Sequence, residues 1–280
     1  MARDELAGLS DLCAGDGRRI DLLEAALVMS TLQRGESIDR GPVDLAPLRQ
    51  HVASMASDLA DLVRRRGAAP ERLADVIARA YAYRGDSETY DDLQNADLAR
   101  VIERRKGLPV ALSILYLHVA RAQGWDAEGL AFPGHFLIRV AIDEARHVVD
   151  PFNDGMVRDA AQLRELVRRV LGDDAELRPG HFDAVPDRDV LLRLENNVRL
   201  RLAKREDWTG AARSLDRMLA IAPGRPALLF EAGQINARLD KRRAAIDAFE
   251  RFLATDAART DPALGQRASA LLQELRRGLN

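Results

Sequence analysis

RKGLPVALSILYLHVARAQGWDAEGLAFPGHFLIRVAIDEARHVVDPFNDG, running from Arg105 to Gly155, carries the architecture of this chain. Gly107-Leu108-Pro109 opens a helix, because proline suits the first helical position, where the amide it lacks has no partner anyway. Leu108, Val110, Leu112, Ile114, Leu115, Leu117 and Val119 lie around the whole circumference, which predicts a helix buried on most sides. Gly124 stops it. Ala127 to Phe132, Phe136 to Val140 and Arg146 to Val149 then read as strands joined at hairpin length, so an antiparallel sheet is expected. His135 is assigned to the second strand, and Asp150 ends the third.

This order of helix, strand with His and strand with Asp resembles the transglutaminase-like core of the papain-like thiol enzymes. There a Cys stands at the helix N-terminus within a Gly-x-Cys pattern. On that pattern Gly107 matches the Gly, His135 the base and Asp150 the residue that orients the base. Pro109 falls where the Cys belongs. A helix N-terminus and a neighbouring imidazolium turn a thiol into a thiolate, whereas proline offers no atom that attacks a carbonyl.

A closer resemblance covers most of the chain. Tyr90, Asn95, Val101, Arg104-Arg105-Lys106-Gly107-Leu108-Pro109, Leu112, Tyr116, Pro133-Gly134-His135-Phe136 and Asp150-Pro151-Phe152, in that order and spacing, are similar to the bacterial SirB-type proteins. That family joins a transglutaminase-like core to tetratricopeptide repeats and commonly carries Pro at the Cys position. The resemblance implies an α+β, mainly α fold: a papain-like core of buried helix and small antiparallel sheet, N-terminal helices, and C-terminal helical repeats. It also implies a pseudoenzyme in which His135 and Asp150 are vestigial triad members.

Composition bounds the rest. The chain has 280 residues, 47% hydrophobic and 31% charged, enough for a sizeable core and about two domains. Its 42 basic and 44 acidic residues give a formal net charge of −2, so no overall field favours nucleic acid. Arg64-Arg65-Arg66 and Arg104-Arg105-Lys106 read as solvated faces. Met1 to Ser10 lacks the apolar run of a secretory signal, and no segment is long and apolar enough to span a bilayer, so no membrane partner is expected. The single cysteine, Cys13, excludes an internal disulfide and a thiolate zinc site, and fits a reducing cytoplasm.

Before Arg105 the pattern is helical. Asp4 to Cys13 places Leu6, Leu9 and Leu12 three apart, and Ile20 to Gln33, capped by Asp21, buries Leu22, Leu23, Ala26, Leu27 and Leu32. Gly35 to Pro42 is a break. Asp44 caps a longer helix to Arg66, with Pro47 in its tolerant first turn and Gly67 at its end. Pro70 begins another through Leu73, Val76, Ile77 and Ala80, Tyr83 to Asp91 is a loop, and Asn95 is the expected cap of Asn95 to Arg105. Gly155 to Leu171 is a crossing segment and a helix, and Gly172 to Pro186 a loop.

The domain boundary is placed there, giving a transglutaminase-like domain over residues 1–185 and a repeat domain over 186–280. Pairing Ala211 with Ala245 gives a spacing of 34, which also pairs Leu215 with Phe249 and Leu219 with Leu253. That is the tetratricopeptide period. Gly233 marks the tight helix crossing of the second unit, and Pro262 to Leu279 supplies the cap that a short repeat array requires.

Of the histidines, His118 reads as a packed core residue, His147 as an exposed strand residue, and His51 and His181 as surface or loop residues. No spacing suggests a metal pair, and no cofactor is expected. Two functions stay open. One is a non-catalytic module, with a possible regulatory role, that binds a protein or peptide through the repeats and the old cleft. The other is a hydrolase or acyl transferase using His135 and Asp150 with water, Ser113 or Cys13. Ser113 shares the helix face of Pro109 but lies about 6 Å further along the axis. A metal site at His135 and Asp150 is a third, weaker reading.

Overall fold

A computed structural model describes residues 2–15, 19–35 and 44–277; the expected break at Gly35 to Pro42 lies, past Gly35, outside them. The chain divides into two compact units, residues 15–194 and residues 3–14 with 195–280.

Helix α1 (Ala2–Leu12) belongs to the second of these units. In the first, α2 (Leu22–Gly35) is capped by Asp21, whose Oδ1 accepts the Glu24 amide at 3.1 Å. α3 (Ala46–Arg66) has Pro47 in its first turn and stops at Gly67, as the sequence predicts, but its cap position is Leu45 rather than Asp44, which stands one residue earlier and accepts the Ala46 amide. α4 (Glu71–Leu73) follows and runs on as a π-helix from Ala74 to Ala80. The loop expected from Tyr83 contains β1 (Arg84–Gly85), which pairs in parallel with β2 (Lys106–Gly107) across α5 (Leu98–Arg104).

The central helix α6 (Pro109–Ala122) opens on Pro109 and buries ten of its residues, from Val110 to Ala120. An all-apolar circumference requires cover on every side, and α2, α3, α5 and the sheet supply it. The sheet is antiparallel, as expected, with β3 (Asp126–Leu130), β4 (Leu137–Ile142) and β5 (Ala145–Asp150) in register through Ala127↔Val140 and Val140↔His147. It is larger than the sequence reading. β6 (Met156–Arg158) extends one edge and, beyond α7 (Ala160–Leu171), β7 (Ala184–Val185) extends the other, giving the order β6-β5-β4-β3-β7. Both additions are three residues or fewer, too short to show a period of two. One face of the sheet packs against α7 through Leu130, Phe132, Leu137, Leu163, Leu166 and Val167.

α8 (Asp187–Lys204) runs through the division between the units. The second unit then contains α9 (Trp208–Ile221), α10 (Pro226–Arg238), α11 (Arg242–Leu253), α12 (Asp256–Thr260) and α13 (Pro262–Arg277). The repeat positions paired at a spacing of 34 fall on α9 and α11. A Cβ on Gly233 of α10 would lie 2.6 Å from the Phe249 ring of α11, which is why the crossing takes glycine. Phe230, Phe249, Phe252, Ala268 and Leu272 form the core beneath α13. A buried group absent from the sequence reading joins α8 to α9. Glu195 accepts Ser214 Oγ at 2.6 Å and Arg217 Nε at 3.0 Å, with all three side chains withdrawn from solvent.

Candidate functional site

Pro109 is the first residue of α6, half-buried, and its neighbour Leu108 is held from outside the helix. The Leu108 amide donates to the Asn95 carbonyl at 2.9 Å. Asn95 itself is fully buried, donating from Nδ2 to the Thr89 carbonyl and accepting Arg104 Nη1 on Oδ1. Sequence reasoning cast it as a helix cap. The cap of α5 is instead Asp97, which accepts the Arg100 amide, while Asn95 closes a short 3₁₀ turn over Leu93–Ala96. A residue whose amide group and carbonyl all brace neighbouring segments has none left for a helix end.

Asp86 completes this brace. Its side chain is 1% exposed and accepts the Thr89 amide and hydroxyl and Arg104 Nη2. Burial works against its charge, but the Thr89 bonds and the Arg104 guanidinium outweigh it and hold the carboxyl at about 2. The start of α6 is therefore locked by a buried polar network that leaves no periodic signal along the chain.

His135 lies in the bend before β4, two residues ahead of the strand to which sequence reasoning assigned it. The displacement comes from Pro133-Gly134. Gly134 turns at φ +65, and a Cβ there would meet Val170 of α7 at 2.6 Å. Asp150 is the last residue of β5, one step past the Ile138↔Val149 pair, so the antiparallel register carries both residues to the same end of the sheet.

They do not bond to each other. Asp150 is fully buried, and its carboxylate is engaged by others: Oδ1 accepts the Asn153 amide at 3.2 Å, and Oδ2 accepts Asn153 Nδ2 at 2.8 Å and Arg158 Nε and Nη2 at 3.1 and 2.8 Å. His135 Nδ1 is buried with no hydrogen-bond partner, and neither ring nitrogen bonds a described residue. His135, Phe152, Asn153, Arg158, Gln162 and Arg169 are among the residues lining a cleft of about 470 Å³ at the mouth between the sheet and α7. Pro109 is not among its lining residues.

The two alternative nucleophiles are accounted for. Ser113 is fully buried and its hydroxyl donates back to the Pro109 carbonyl at 2.8 Å, the local bond of a helical serine. Cys13 is buried and belongs to the second unit. His118 is mostly buried in α6, where burial lowers its pKa against the pull of Asp21. His51 departs from the surface reading: it is half-buried on α3, with Nε2 3.0 Å from the Tyr83 hydroxyl, and burial followed by the Arg105 charge lowers its pKa. Among the described residues no cluster of three His, Cys, Asp or Glu side chains has the arrangement to hold a metal ion.

A family model described as the transglutaminase-like superfamily matches residues 46–196, from α3 through the sheet and α7 into α8. The chain belongs to the transglutaminase-like superfamily. A tetratricopeptide repeat model matches residues 198–273, covering the helical unit. The chain is 37% identical over 175 residues to a UPF0162 protein of Xylella fastidiosa (strain Temecula1), covering 61% of this chain and 62% of that protein. It is 28% identical over 247 residues to a UPF0162 protein of Vibrio cholerae, covering 87% of this chain and 89% of the relative. The mouse F-box only protein 21 is 29% identical over 159 residues, 52% of this chain and 24% of that protein. The chain thus spans less than two thirds of the Xylella relative's length. Among the described residues no helix is long and apolar enough to cross a membrane.

Proposed function

We propose that this is a SirB-type, non-catalytic transglutaminase-like protein that binds a protein or peptide in the cytoplasm. The transglutaminase-like part comprises residues 1–185 and the repeat part residues 186–280. The observation carrying the reading is Pro109 at the first position of α6, where the superfamily's thiol nucleophile would stand. Two others support it. Asp150 spends its carboxylate on Asn153 and Arg158, so no described residue holds His135 Nδ1 in the tautomer of a general base. Stacked helix pairs such as α8 to α11 build faces suited to peptides.

Peptide selection from a displayed random library on the full chain tests this. Selected peptides should share a motif, and their binding should fall on Leu200→Asp, which puts a charge on an exposed leucine of α8. Failure to enrich any motif, together with an amide or ester hydrolysis lost in His135→Ala, would replace the reading with the enzyme alternative.

A further inference from the structure

We propose that the cleft beside His135 is a carboxylate-binding site, taking an acidic side chain of a peptide between the His135 Nε2–H group and Arg158. The proposal rests on the binding-module reading above and names the chemistry that its cleft recognises.

A neutral imidazole carries one N–H donor and one bare acceptor nitrogen. Nδ1 of His135 is buried without a partner. Genuinely orphaned buried N–H groups are rare, and under-satisfied acceptors somewhat less so. The proton is accordingly placed on Nε2. That is the reverse of a triad histidine, whose Nδ1–H is held by a carboxylate while Nε2 waits as a base. His135 presents a donor, and a donor in a cleft calls for an acceptor on the ligand.

Arg158 supplies the second donor. Its Nε and Nη2 are bound to Asp150 Oδ2, which fixes the plane of the guanidinium, and its remaining nitrogen, Nη1, has no partner among the described residues. The side chain is 14% exposed, so Nη1 is held in place by a buried anchor. Phe152, Ala161 and Leu166 give the cleft apolar walls that suit the methylenes of an acidic side chain. The one carboxylate lining the cleft, Glu165, is paired at 3.6 Å with Arg169 one turn along α7, with both side chains about two-thirds exposed. Charged acceptors make stronger bonds to such donors than neutral ones do, and this favours a carboxylate over an amide.

The test is ring ¹⁵N NMR of histidine-labelled full-length protein in mildly alkaline buffer, titrated with N-acetyl-glutamate α-amide and, separately, with N-acetyl-glutamine α-amide. Without ligand, the His135 ring should show a protonated Nε2 and a bare Nδ1. The glutamate probe should shift it saturably, about tenfold more tightly than the glutamine probe, the difference between a charge-assisted and a neutral hydrogen bond. Glu165→Gln should tighten glutamate binding by about two- to fivefold by removing a partly screened like charge, and in His135→Phe, read by titration calorimetry, glutamate binding should weaken while the Arg158 contact keeps a smaller preference over glutamine. A proton on Nδ1, equal binding of the two probes, or no shift with either would overturn the proposal. The library selection would still stand or fall on its own result.

Discussion

Replacing Arg158 with alanine tests the reassignment of Asp150 directly. The variant removes two of the four side-chain hydrogen bonds on a carboxylate that is 0% exposed, leaving only those from Asn153. Breaking a buried pair by deleting one partner costs about 3–5 kcal/mol, because the survivor keeps its charge without its compensation. Arg158 is 14% exposed, so water reaches the vacated space in part, and about 3 kcal/mol is expected. For a unit the size of residues 15–194 this lowers the melting temperature by about 6–12 °C. Denaturant unfolding gives the free energy, and exchange of the β5 and β6 amides locates the loss. His135→Ala, which removes no hydrogen bond, should cost about 1 kcal/mol or less. Asp150→Asn in the Arg158→Ala background should restore part of the stability by removing the stranded charge, a coupling that a double-mutant cycle measures. An Arg158→Ala cost below about 1 kcal/mol, or simple additivity with Asp150→Asn, would refute the claim that Arg158 is the essential partner of Asp150.

Asp86 ties stability to pH. Its carboxyl is held at about 2 against an ordinary 3.8, so its contribution of about 2 kcal/mol is present above roughly pH 4 and lost as the pH falls through about 2; Asp86→Asn should remove it at neutral pH and flatten the acid limb of the unfolding curve. Gly233→Ala drives a methyl group to 2.6–2.7 Å from three ring carbons of Phe249, and overpacking should outweigh the gain in helix propensity to leave about 1–2 kcal/mol of destabilisation, partly relieved by Phe249→Leu in thermal melts of the double variant. Pro109→Cys places a thiol at the first position of α6, where the helix N-terminus lowers thiol pKa values; it should alkylate with iodoacetamide at mildly acidic pH faster than the buried Cys13, and an ordinary rate would mean the helix end is not where the fold puts it.

The features legible in the sequence are those written in period and punctuation. An apolar circumference between Pro109 and Gly124 defines α6, short segments at hairpin spacing mark β3 to β5, and the spacing of Ala211 and Ala245 marks the repeats. The features that were hidden are set by partners far along the chain or by elements too short to have a period. Asn95 has the look of a cap, yet it bonds Thr89, Arg104 and Leu108. Glu195 and Arg217 look like ordinary charges on amphipathic helices until the packing of α8 against α9 buries them as a pair. A signal did exist for the Asp150 partners, since Asn153 lies three residues on and Arg158 eight, within the reach of a tight hairpin, but recognising it required seeing β6.

That hairpin changes what the family pattern means here. The helix, His and Asp keep their order along the chain, and the sheet register still carries His135 and Asp150 to one end. What differs is where the carboxylate's hydrogen bonds go. Asp150 closes the β5–β6 turn through its carbonyl, which accepts the Asn153 and Gly155 amides, and through its side chain, which accepts Asn153 and Arg158. Oδ2 already accepts three donors, and Oδ1 accepts the Asn153 amide and makes no bond to the imidazole. Asp150 instead anchors Arg158, and Arg158 and His135 both line the cleft. Local hairpin chemistry thus accounts at once for the burial of Asp150, the unpartnered Nδ1 of His135 and the spare nitrogen of Arg158. Orienting His135 from Asp150 would require Oδ1, which now accepts the Asn153 amide, to accept from the imidazole as well.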